Sequence, residues 1–108
     1  MISTLEKLLG TPRDGALLRY SLGLEYAKAG RHADAVAQLR EAVTRDPGYS
    51  AAWKTLAKSL TETGALEDAL EAYRRGIEAA QRKGDRQAEK EMTVFARRLE
   101  KRLRPETG

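Results

Sequence analysis

The sequence predicts an all-α fold of about six antiparallel helices, on three observations. The chain overlays on itself at an offset of 34 residues, Ala16–Tyr49 on Ser50–Lys83. Its composition is rich in Ala, Leu, Glu and Arg and poor in aromatics, with one Phe, one Trp and four Tyr, a mixture that favours helices over strands. No stretch alternates apolar and polar residues as a half-buried strand would. A period of this length marks stacked supersecondary units, each burying its apolar face against a neighbour.

The 108 residues are read as one domain, 1–108, divided into a short helix at 3–9, repeats at 16–49 and 50–83, and a capping helix at 85–104. In the first helix Ser3 and Glu6 have the spacing of a capping box, and Leu5 and Leu8 occupy core positions of a preceding unit's second helix. Asp14–Ala29 opens the first repeat. It is apolar on two sides, with Leu18, Leu22, Tyr26 and Ala29 on one and Leu17, Tyr20, Leu24 and Ala27 on the other, so it needs two neighbours.

Between the repeats, Leu22 falls on Leu56, Gly30 on Gly64, Asp34-Ala35 on Asp68-Ala69, Leu39 on Tyr73 and Ala42 on Gly76. Gly30 and Gly64 sit where a first helix must end and reverse, and glycine accepts the left-handed C-cap conformation. Asp46-Pro47-Gly48 closes the first unit, because Pro47 lacks an amide proton and biases Asp46 away from helical geometry. The second unit runs on to about Arg82 and breaks at Lys83-Gly84-Asp85, with Asp85 as N-cap. In the last helix Ala88, Met92, Phe95, Ala96, Leu99 and Leu103 fall within an arc of about 100°. One face can seal the last repeat while the other meets water.

These residues resemble the tetratricopeptide repeat (TPR) family. Its first helix carries a bulky residue, Leu, a small residue and an aromatic, and its second carries Ala, an aromatic or Leu, then Ala, with a closing Pro. The second repeat has Trp53, Leu56, Ala57, Leu60, Ala69, Tyr73 and Gly76. The first has Arg19, Leu22, Gly23, Tyr26, Ala35, Leu39, Ala42 and Pro47. Arg19, Leu60 and Gln81 depart from the pattern. The resemblance covers about two thirds of the chain. It implies a short TPR-type right-handed α-solenoid that binds other proteins through a concave groove lined by the first helices.

Catalysis is not expected. There is no cysteine and a single histidine, which excludes Cys/His nucleophile pairs and clustered thiolate or imidazole metal ligands. No glycine-rich phosphate loop is present, so no metal or cofactor is expected. His32 reads as a solvated first-turn residue. The opening Met-Ile-Ser-Thr-Leu-Glu lacks the features of a signal peptide, and no segment approaches the roughly 20 apolar residues of a membrane span. A cytoplasmic location is the expectation.

The informative positions face the implied groove. Leu17, Tyr20 and Leu24 are apolar or aromatic, Lys28 lies nearby, and the second repeat presents Lys54, Lys58 and Thr61. Such a groove complements a protein or peptide carrying an apolar anchor and an acidic group or free carboxylate. Family members that bind chaperone C-termini use a carboxylate clamp of Lys, Asn and Arg. Here Tyr20, Leu24 and Thr55 replace two of those residue types, so a chaperone-type clamp is not expected. The rival for the apolar half is the short first helix, which could fold over Leu17, Tyr20 and Leu24 and cover them.

The net charge of +4 is uneven: from residue 81 onward nine Lys/Arg face five Asp/Glu. Arg97, Arg98, Lys101, Arg102 and Arg104 occupy the arc opposite the apolar stripe. Basic residues near a helix C-terminus are favoured by the macrodipole alone. Electrostatic nucleic-acid binding there is the weaker alternative, since no aromatic is interleaved for base stacking. Self-association is another, because two repeats are few for a solenoid; the expected state is a monomer or a weak homodimer.

Overall fold

The structure, a computed structural model, describes residues 1–104; the last four residues of the domain read as 1–108 lie outside the described residues. Six helices follow one another: α1 (Ile2–Glu6), α2 (Ala16–Lys28), α3 (His32–Arg45), α4 (Ser50–Glu62), α5 (Leu66–Lys83) and α6 (Arg86–Leu103). No strand occurs among the described residues. Each helix from α2 to α5 packs on the next. In addition α2 touches α4, and α4 touches α6. The even-numbered helices therefore form one layer and α3 and α5 the other, giving an all-α helical-repeat fold of 54 × 30 × 18 Å.

The turns follow the local chemistry. Gly30 and Gly64 have φ of +77° and +83°, the left-handed region in which a side chain is strained. α3 ends at Arg45, one residue before Asp46-Pro47. α6 is capped by Asp85, whose side chain accepts the Ala88 N–H at 3.1 Å.

The core runs the length of the layers. Leu22, Tyr26, Leu39, Leu56, Leu60, Tyr73, Met92 and Leu99 are buried in one continuous cluster. The closest approach is at Gly76. A Cβ there would lie 2.5 Å from Met92 Sδ and 2.9 Å from Trp53 Cβ, so the missing side chain lets α5 settle between α4 and α6.

Arg19, which stands where the second repeat has Trp53, is part of a polar clamp. Its guanidinium donates to Asp14 at 2.8 and 2.7 Å and to Gln38 at 3.1 Å. Asp14 also accepts the Gly10 N–H at 2.9 Å and faces Arg45 at 3.3 Å. A bidentate ion pair thus ties the loop before α2 to α2 and α3.

At the N-terminus the structure departs from the capping-box reading. The helix starts at Ile2 with Met1 at the N-cap and no side-chain cap bond. Glu6 instead accepts the hydroxyl of Tyr26 on α2. A buried phenol needs an acceptor, and Glu6 supplies it. Among the helices α1 touches only α2.

Candidate functional site

The helical period decides what faces the open side of the α2–α4–α6 layer. Leu18, Leu22 and Tyr26 point into the core, so Leu17, Leu24 and Lys28 point away from it, while Tyr20 packs against its margin. The Tyr26–Glu6 bond holds α1 on the core side of α2. The short helix therefore does not cover the open side, and Leu17 remains 69% exposed.

The open side of α2 is not uniform. Tyr20 is half-buried against Tyr49 at the start of α4, with ring centroids 4.8 Å apart. Burial pushes the Tyr49 hydroxyl pKa above its ordinary value. Toward the other end of α2, Leu24, Ala27 and Lys28 form one wall of a cleft of about 340 Å³. Thr55, Lys58, Ser59 and Glu62 of α4 form the facing wall, and His32 closes one side. His32 does not simply face water: its Nδ1 lies 3.3 Å from the Ser59 hydroxyl.

The expected groove residues thus separate. Leu24, Lys28 and Lys58 share this cleft. Lys54 turns toward α6 and donates to Glu91 at 2.6 Å; that bond, with the Lys54 charge, holds the Glu91 carboxyl below the usual carboxylate range. Thr61 also leans toward α6, donating to the Ala57 carbonyl at 2.8 Å and lining a second cleft. At about 100° per residue, Lys54 and Thr61 lie on one flank of α4, and Thr55 and Glu62 lie roughly 100° away on the other. Lys58 stands between the flanks. Its ammonium is 5.5 Å from the centroid of the Phe95 ring on α6, within range of a cation–π attraction.

Arg97, Arg98, Lys101 and Arg102 in the second half of α6, and Arg104 at its C-cap, are all exposed. Among the described residues none has an acidic partner within ion-pair distance. Arg98 and Arg102 border the second cleft with Thr61, Tyr73, Phe95 and Leu99. The helical period puts Phe95 in the core stripe of α6, and no motif marks Glu91. Phe95 is only half-buried, and its position at the edge of the apolar arc was the available signal. Among the described residues no group of acidic or histidine side chains is arranged to hold a metal, and no helix is long and apolar enough to cross a membrane.

Residues 20–84 match a family model described as tetratricopeptide repeat. The chain is 46% identical over 101 residues to a TPR repeat-containing protein of Pseudomonas aeruginosa, across 94% of this chain and 96% of that one. It is also similar to the solution structure of a protein from Bordetella parapertussis, with a TM-score of 0.79, 41% identity, and coverage of 94% of this chain and 89% of that one. A tetratricopeptide repeat domain protein from Salinibacter ruber superimposes with a TM-score of 0.76 at 28% identity, covering 90% of this chain and 96% of that one.

Proposed function

Because the chain belongs to the tetratricopeptide repeat family, whose fold is generally a protein–protein interaction module, we propose that it binds an extended peptide or a partner helix on the open face of α2 and α4. One observation carries this reading: the α2–α4 cleft joins an apolar wall, Leu24 and Ala27, to two exposed ammonium groups, Lys28 and Lys58, and α1 leaves it uncovered. An apolar anchor followed by a carboxylate complements that arrangement. Lys54 contributes indirectly, by neutralising Glu91 beside Lys58.

The test compares capture of a partner from the native cytoplasm by three baits. The Lys28→Glu/Lys58→Glu protein should lose the partner retained by the unmodified chain. Arg97→Glu, on the outer surface of α6, should keep it. Retention by the double variant removes the α2–α4 cleft from the binding surface.

A further inference from the structure

A second cleft opens between α4 and α6, and nothing in the α2–α4 reading uses it. Its walls are aromatic and aliphatic. Tyr73 and Phe95 stack at 5.7 Å with ring planes 13° apart, and Leu99 and Thr61 complete the lining. Its rim is cationic: Arg98 and Arg102 border it, and the Arg98 guanidinium carbon lies 5.5 Å from the Phe95 centroid. Lys58 approaches the same ring while lining the α2–α4 cleft, so the two clefts adjoin at Lys58.

Two features suit this cleft to a ligand. Tyr73 is 2% exposed, yet its hydroxyl has no hydrogen-bond partner among the described residues. No fully buried side-chain polar atom among the described residues lacks a hydrogen-bond partner, so this unpartnered hydroxyl keeps some exposure, and it belongs to a residue that lines the cleft, where it can meet an acceptor. The volume, about 170 Å³, is below the 300 Å³ or more of a typical small-molecule site. It suits one large side chain.

From this geometry we infer that the α4–α6 cleft is a second anchor site, which takes a single Phe or Leu side chain of a partner polypeptide and whose arginine rim holds the acidic residues flanking that side chain. The inference rests on the reading of the chain as a polypeptide-binding module, and it gives the partner a sequence character. Apolar burial supplies affinity in the cleft. The cationic rim supplies orientation and rejects basic segments.

The experiment is an amide and methyl NMR titration of the full chain with three blocked pentapeptides: Glu-Glu-Phe-Glu-Glu, the same peptide with Ala at its centre, and Lys-Lys-Phe-Lys-Lys. An eight-nucleotide uridine RNA is titrated in parallel. The acidic Phe peptide should move the signals of Thr61, Phe95 and Leu99 saturably. It should bind about tenfold or more tightly than the Ala peptide, and the basic peptide should leave these signals still. Arg98→Glu/Arg102→Glu, both at exposed positions, should weaken it at least tenfold while the far-UV CD spectrum stays helical. Equal binding of the Phe and Ala peptides overturns the anchor. Movement confined to Leu24, Lys28 and His32 overturns the α4–α6 site while leaving the α2–α4 reading in place. Movement at Thr61, Phe95 and Leu99 with RNA but not with peptide overturns the polypeptide assignment.

Discussion

The Lys54 ammonium donates to the Glu91 carboxylate at 2.6 Å, joining α4 to α6 across 37 residues of sequence. Each partner is part-exposed, so solvent screens the pair and it adds little to stability. Its larger consequence is electrostatic. It removes a negative charge from the neighbourhood of Lys58.

This arrangement predicts an unusual mutational pattern. Lys54→Ala should weaken an acidic ligand, because it unmasks Glu91 beside Lys58. Lys54→Ala/Glu91→Ala should restore most of the loss, since both charges are then gone. Titration calorimetry with the acidic Phe pentapeptide checks this. No recovery in the double variant would mean that Lys54 contacts the ligand itself.

Gly76→Ala should destabilise the protein by about 1–3 kcal/mol, although alanine favours a helix by roughly 1 kcal/mol over glycine. The new methyl would overlap Met92 Sδ, which can move, and Trp53 Cβ, which can move only with its helix. Urea denaturation measures the change. A net gain in stability would show that α5 has room to shift.

The Asp14 clamp predicts a pH dependence. Hydrogen bonding to the Arg19 guanidinium, then to the Gly10 N–H, holds the Asp14 carboxyl well below the usual carboxylate range. In the unfolded chain the group titrates near its ordinary value of about 3.9, so at acid pH the unfolded state binds the extra proton. Stability from this group is complete above that value and drains away as pH falls toward the folded value. Asp14→Asn should be less stable at pH 7 and should show a flatter loss of Tm between about pH 5 and pH 3. Parallel curves for the two proteins would remove the clamp as the cause.

Tyr26→Phe should loosen α1 and little else. A five-residue helix with no buried residue is far below the length at which helices persist alone. The Glu6 bond is a specific tie to α2, and it raises the Tyr26 pKa, hydrogen bonding to the carboxylate being the first cause. Hydrogen exchange of residues 2–6 should speed up, with a global cost of about 0.5–1.5 kcal/mol. Unchanged exchange there would mean that Ile2, Leu5 and Leu9, packed against the core, hold the helix unaided.

Much of the fold was legible because its signals are local or periodic. The glycines at Gly30 and Gly64 reverse the chain by backbone sterics alone. Leu22 and Leu56, or Leu39 and Tyr73, are buried because the helical period repeats every unit. The Ser3–Glu6 spacing does not make a cap, since Glu6 finds its partner in Tyr26, 20 residues away. The contact of His32 with Ser59 is invisible to local sequence because Ser59 comes from the next repeat.

By itself the sequence determined the all-α helical-repeat class, the reversals at Gly30 and Gly64 and the face that each helix buries, because backbone conformation and apolar periodicity act within a few residues. Only the tertiary structure decided which side of α2 the first helix occupies, and how the open face of α4 divides between its neighbours. That division depends on packing between elements far apart in the chain. It gives Thr55 and Glu62 to the α2 side, gives Lys54 and Thr61 to α6, and leaves Lys58 between two clefts.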